Sequence, residues 1–267
     1  MLIAAPFIKA PEAEWVCDVL RSRRPVSQFR IQVLTDIRSE SVLNQSLDIE
    51  ALRILAEASP STAVVTVPSL HAKVYVADEA VAVVTSANLT TAGLDSNYEY
   101  GVALKEQSLV QQIRSDLRAY ARVGSLVAPS VLADLALVGE ELCAEYRAVQ
   151  RSASAGIRRR FNRKLRTATI QFLAAQVGTR SANSLFSDAI VYVLSKAPLR
   201  TIDLHPRIQR LLPDLCDDSI ELIINGQHFG KRWKHAVRNA QQYLKRQGVI
   251  RFDRGRWRLT AMVEPGS

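Results

Sequence analysis

His71 and Lys73 stand two residues apart, and so do Ser86 and Asn88. Both pairs fall in or beside apolar, β-branched runs, AKVYVA at 72–77 and VAVVTS at 81–86. In a strand, residues two apart emerge on the same face. A tight hairpin through Asp78-Glu79 brings the four polar side chains together at a sheet rim, and Glu99 arrives on the following strand. These residue types suit chemistry at phosphorus. A neutral imidazole can attack phosphorus and form a covalent phosphohistidine. A lysine ammonium neutralises the nonbridging oxygens and the charge that gathers on them. A serine hydroxyl and an asparagine amide can donate to the same oxygens. A carboxylate behind the imidazole orients it and selects its tautomer. The set lacks the several carboxylates that a magnesium site draws on, so neither a metal nor another cofactor is expected.

The elements that must hold these residues can be read from periodicity. LIAAPFI near the N-terminus, FRIQVLTDI (29–37), AVVTV (63–67) and YEYGVAL (98–104) join the two runs above as strands. Helices are expected over 11–22 and 48–58, with Asp48 as an N-cap, and over 106–123 and 130–150. Strands alternate with helices and then run together. That order predicts an α/β sandwich with a mixed central β-sheet flanked by helices.

Taken together, His71-x-Lys73-x4-Asp78, Thr85-Ser86, Asn88 and Asn97-x-Glu99 resemble the HKD signature of the phospholipase D superfamily. Thr85 stands where a glycine is usual. The resemblance covers about residues 1–125 and implies a phospholipase D-like sandwich. It implies His71 as nucleophile or acid, Lys73 as phosphate ligand, Ser86 and Asn88 as further phosphate-site groups, and Glu99 as the partner of His71. Asp78 is assigned a turn role. The superfamily mechanism uses two histidines on opposite sides of the phosphate. The other three histidines, His205, His228 and His235, lie in no HxK pattern. The missing half is therefore expected from a second copy, in a homodimer with one composite active site.

Charge is distributed unevenly. Residues 1–150 hold 13 Lys/Arg and 18 Asp/Glu, whereas 151–267 hold 22 and 8. The excess in the second half suits a polyanion held by its phosphates. Residues 157–177 read as a basic helix, with Ile157, Phe161 and Leu165 at spacing four. Beyond it come helices over 184–198, 205–215 and 230–248, then VIRF-DRG-RWRLT (249–260), a hairpin around Asp253-Arg254-Gly255. Helix, helix, long helix, hairpin is the order of a winged helix-turn-helix domain. This part resembles the winged-helix module of Mrr-type restriction endonucleases. Lys231, Arg232, Lys234 and Arg238 crowd the first turns of the long helix, and Arg254 and Arg256 sit on the wing with Arg251 and Arg258. These are the candidate DNA contacts.

The domains expected are a nuclease domain over 1–125, a basic helical linker over 126–182 and a winged-helix DNA-binding domain over 183–262. No run of about 18 apolar residues suggests a membrane span. The opening 15 residues reach a proline and a carboxylate too soon for a signal peptide. Three scattered cysteines give neither a disulfide framework nor a zinc site. The expectation is a cytoplasmic, metal-independent DNA endonuclease of a restriction or defence setting, acting on double-stranded DNA as a homodimer. Its competitors are a phospholipase D-type lipid phosphodiesterase and a non-catalytic DNA-binding regulator.

Overall fold

Short Val-rich strands build the centre of the first unit. They are β1 (Leu2–Ala4), β2 (Ile31–Thr35), β3 (Thr62–Thr66), β4 (Val74–Ala77), β5 (Val81–Thr85), β6 (Gly101–Leu104) and β7 (Ser125–Val127). The computed structural model describes residues 1–23, 25–151, 155–178, 180–213, 215–224 and 226–260. It divides into two units, Met1–Gly178 and Thr179–Ser267.

The seven strands form one mixed sheet in the order β6-β5-β4-β1-β2-β3-β7. β1, β2 and β3 run parallel, while β4, β5, β6 and β7 join antiparallel. Parallel neighbours need crossovers. These are supplied by α1 (Ala10–Arg23) and by α2 (Ser39–Leu43) with α3 (Ile49–Glu57). The period of two along each strand sorts the core into two layers. Ile3, Val33 and Val64 pack with Leu52 and Leu55 of α3. Leu2, Ala4, Leu34, Val74 and Val76 pack on the other side with Val110 and Leu117 of α4 (Gln107–Val123). A sheet covered by helices on both faces is the sandwich that the sequence implies.

The stretch 126–182, read as a linker, supplies the edge strand β7 and two long helices, α5 (Pro129–Arg151) and α6 (Ala155–Val177). Both helices belong to the first unit. Phe161 of α6 is buried against Tyr146 of α5, with ring centroids 5.6 Å apart. Arg160 and Lys164 pair with Glu145 at 2.8 and 3.2 Å. Part of the basic character of 157–177 is thus spent on helix packing within this unit.

The second unit holds α7 (Ala182–Lys196), α8 (Thr201–Leu211), β8 (Glu221–Ile224), β9 (Gln227–Lys231), α9 (Arg232–Arg246), β10 (Ile250–Asp253) and β11 (Arg256–Leu259). Ser181 caps α7 by accepting from the Ser184 N–H at 3.1 Å. α8 begins four residues before the expected start. Leu204 and Ile208, one turn apart, are both fully buried and draw the extra turn onto the core, with Pro206 inside the helix. It ends at Leu211 instead of 215, just ahead of Pro213. Trp233, Val237, Ala240 and Leu244 form the buried stripe of α9. Leu199 forms an isolated antiparallel bridge to Trp257 in β11. Between α8 and α9 lies a hairpin, β8–β9, absent from the expected helix, helix, helix, hairpin order.

Candidate active site

The site lies beside the free edge of the sheet, where β4, β5 and β6 adjoin. β4 begins at Val74, so His71 and Lys73 occupy the extended segment just ahead of it. The ladder nonetheless reaches Lys73, whose carbonyl accepts from the Thr85 N–H at 3.1 Å. Lys73 and Tyr75 therefore keep the alternation of the strand, and His71 lies against Lys73 just ahead of it. The turn from β4 to β5 passes through Asp78, which takes φ 55°, a left-handed conformation that aspartate tolerates. This agrees with a turn role for Asp78.

Two of the expected partners are in contact. The Lys73 ammonium stands 3.2 and 3.3 Å from the two ring nitrogens of His71, and donates to the His71 carbonyl at 3.2 Å. Across the gap, the Ser86 hydroxyl donates to the Glu99 carboxylate in a very short contact. The Asn97 amide donates to the other carboxylate oxygen at 3.2 Å. The Tyr100 N–H returns to the Ser86 oxygen at 3.1 Å, and the Ser86 N–H donates to the Tyr100 carbonyl at 3.0 Å. Glu99, expected behind the imidazole, is instead held by Ser86 and Asn97, and no hydrogen bond joins it to His71 among the described residues. The hydroxyl of Ser86 is the nearer donor, and it fixes the carboxylate at the junction of β5 and β6.

The electrostatics follow from this layout. The Ser86 hydrogen bond, and after it Asn97 and the Lys73 charge, hold the Glu99 carboxyl below the usual carboxylate range. Partial burial pushes the Lys73 ammonium below the ordinary lysine value, and Glu99 opposes that shift. Tyr75 lies two residues beyond Lys73. Its hydroxyl donates to the Ala87 carbonyl at 3.0 Å, and burial, with Glu99 adding to it, raises its ionisation well above the usual range. Tyr75 thus remains a neutral donor that ties β4 to the loop carrying Asn88. Sequence reading passed over it, although its spacing from Lys73 was a usable signal.

Asn88 sits on that loop. Among the described residues, its buried side-chain oxygen has no hydrogen-bond partner. The loop is closed by one bond of its own and anchored to other elements by two more. Lys9 N–H donates to the Leu89 carbonyl at 2.9 Å, Thr90 N–H to the Asn88 carbonyl at 2.9 Å, and the Thr91 hydroxyl to the buried Glu12 of α1. Gly93 passes so close that a Cβ there would lie 2.5 Å from the Asn88 carbonyl oxygen.

The candidate nucleic-acid residues all belong to the second unit. Arg232 and Arg238 on α9, and Arg254 and Arg256 on the β10–β11 hairpin, are exposed. Lys234 lies over the Trp233 ring, 5.4 Å from its centroid. Lys231 is tied to Glu221 at 2.8 Å, which raises its ionisation. The other histidines have local partners: His205 packs edge-on to Trp233, His228 contacts Glu221 at 3.1 Å, and His235 meets the Phe229 carbonyl at 2.6 Å. Cys17, Cys143 and Cys216 are free thiols. Among the described residues, no group of three or more His, Cys, Asp or Glu side chains is placed to hold a metal ion. Among the same residues, no helix is long and apolar enough to cross a membrane.

Residues 3–120 match the family described as cardiolipin synthase, PLD-like domain, and the mixed sheet flanked by helices over this stretch is a PLD-like fold. A solved structure to which part of the chain is similar is NucT from Helicobacter pylori, at 16% identity and a TM-score of 0.38, over 47% of this chain and 80% of that one. No curated protein matches the sequence.

Proposed function

We propose that the protein is a metal-independent DNA endonuclease that works through a phosphohistidine in a homodimeric active site, in a restriction or defence setting inside the cell. The observation that carries this reading is the gathering of His71, Lys73, Ser86 and Glu99 where β4, β5 and β6 adjoin within a phospholipase D-like domain. In the first step a ring nitrogen of His71 attacks phosphorus. The bond to the leaving nucleotide oxygen breaks, and the partner subunit's His71 protonates that oxygen. In the second step water attacks the phosphohistidine, gives its proton to the partner's His71, and releases His71. Lys73 neutralises the nonbridging oxygens in both steps. The Asn88 amide is the remaining side-chain donor for those oxygens, because the single Ser86 hydroxyl proton is already given to Glu99.

The need for a second histidine supports the homodimer, as does the surface next to the site. β6 is an edge strand. Tyr98, Tyr100 and Val102 alternate along it and its approach, and Val84 faces Val102 across the ladder. Tyr98 is fully exposed and Tyr100 is 83% exposed. An apolar stripe on an unpaired edge is a surface that a second copy would cover. The exposed arginines of α9 and of the β10–β11 hairpin support the winged-helix reading of 183–262, with duplex DNA as the substrate.

Plasmid DNA incubated with the protein in excess EDTA tests the assignment, beside His71→Ala and a phospholipid substrate. Cleavage of DNA that survives EDTA and disappears in His71→Ala is the expected result. Cleavage that needs added magnesium removes the mechanism. Turnover of the lipid alone moves the site to lipid chemistry, and DNA binding without cleavage makes the protein a regulator.

A further inference from the structure

The β8–β9 hairpin has no role in anything described so far, and its surface is unusual. Ile220, Ile223 and Phe229 are 45, 53 and 44% exposed. A Cβ added at Gly226 or Gly230 would meet nothing within 4 Å, so the ribbon is open to solvent at both its tip and its shoulder. An isolated two-stranded hairpin is marginal in water, and leaving three large apolar side chains exposed on one is unfavourable.

Its root, by contrast, is firmly placed. β9 runs directly into α9. The Arg232 N–H donates to the Ile220 carbonyl at 3.0 Å, and His235 meets the Phe229 carbonyl at 2.6 Å. The hairpin therefore projects from the first turn of α9, beside Arg232 and Lys234. The acidic residues of the segment are engaged in local bonds. Asp217 accepts from the Ser219 N–H at 2.7 Å, Asp218 from Trp233 and Gln209 at 2.9 and 2.8 Å, and Glu221 takes Lys231 and His228. The result is an apolar ribbon with cations at its base.

We propose that the β8–β9 hairpin is an apolar finger that enters a groove of duplex DNA alongside α9. The proposal rests on the reading that the second unit holds DNA. A major groove admits a two-stranded ribbon as well as a helix. Phenylalanine and isoleucine side chains act as wedges against base steps when a protein bends or opens a duplex. Arg232 and Lys234 at the root meet phosphates on the groove wall, Phe229 reaches the base edges, and Ile223, on the opposite face of the ribbon, packs against the sugar wall of the groove. Cations and apolar side chains then have separable signatures. A phosphate contact contributes to the salt dependence of binding, and an apolar contact does not.

The full-length protein, bound to a labelled duplex and followed by fluorescence anisotropy across a salt series, gives the test. Phe229→Ala and Ile223→Ala are expected to weaken binding about tenfold or more at every salt concentration with an unchanged salt slope. Phe229→Leu keeps most of the affinity. Circular dichroism confirms that the variants fold, as expected for exposed positions. Parental affinity in both alanine variants, with Arg232→Ala still weakened, overturns the finger and leaves the DNA reading standing. A parental protein that binds no duplex overturns both. A change of oligomeric state in Phe229→Ala at unchanged DNA affinity assigns the hairpin to a second copy of the chain and also overturns the proposal.

Discussion

The two units handle charge in opposite ways. In the first, the Lys73 ammonium touches the His71 ring, and Lys73 and Glu99 shift each other's ionisation through their opposite charges. In the second, exposed arginines are spread over a helix and a hairpin. A centre of the first kind fails when one atom is removed. A surface of the second kind loses its hold by degrees, because each phosphate contact adds a similar increment.

The largest effect should separate the two functions outright. His71→Ala is expected to cut DNA cleavage on the order of 10³-fold or more while duplex affinity stays within about twofold of the parent. Affinity that falls together with cleavage would mean that the site also carries much of the binding, and the contrast between the units would dissolve.

A smaller effect concerns ionisation within the site. The alkaline limb of the cleavage profile should lie below the ordinary lysine range, because burial depresses Lys73. Glu99 raises the Lys73 value, so Glu99→Gln leaves burial unopposed and shifts that limb to lower pH. A limb that moves upward, or stays in place while activity falls, would show that Lys73 does not set it. The acid side follows the opposite sign. The Ser86–Glu99 contact contributes fully above the normal carboxylate range and is lost only as pH falls through the depressed Glu99 value.

The smallest expected effect belongs to the basic surface. Arg232→Ala should lower duplex affinity only a few-fold at low salt and reduce the salt slope by about one. A loss confined to one DNA sequence, with the slope unchanged, would make Arg232 a reader of bases.

Local spacing made the centre of the site legible. His71 and Lys73, and Ser86 and Asn88, had only to lie in or beside strands for each pair to share a face, and the β-branched runs around them announced those strands. Glu99 was harder, because its partner depends on which of two donors is nearer in three dimensions. That choice is fixed by the register between β5 and β6. The helices of 129–177 were recognisable as helices. Their attachment to the sheet was not, since the burial of Phe161 is a tertiary fact that its spacing alone does not specify. The β8–β9 hairpin carried its signal openly in Asn225-Gly226 between ELII and QHFGK. It was missed because its strands do not alternate between apolar and polar residues, the pattern by which half-buried strands are recognised.

The tip of the β10–β11 hairpin shows a trade within one residue. Arg254 takes φ 47° and Gly255 takes φ 76°, the paired left-handed conformations of a tight two-residue turn. Glycine or asparagine adopts the first of these with less strain than arginine does. A cation at this point is therefore maintained against the preference of the backbone. Under the proposed DNA reading, replacing it with glycine would leave a calmer, sturdier loop with a weaker grip on the duplex, so that at this corner robustness and hold pull in opposite directions.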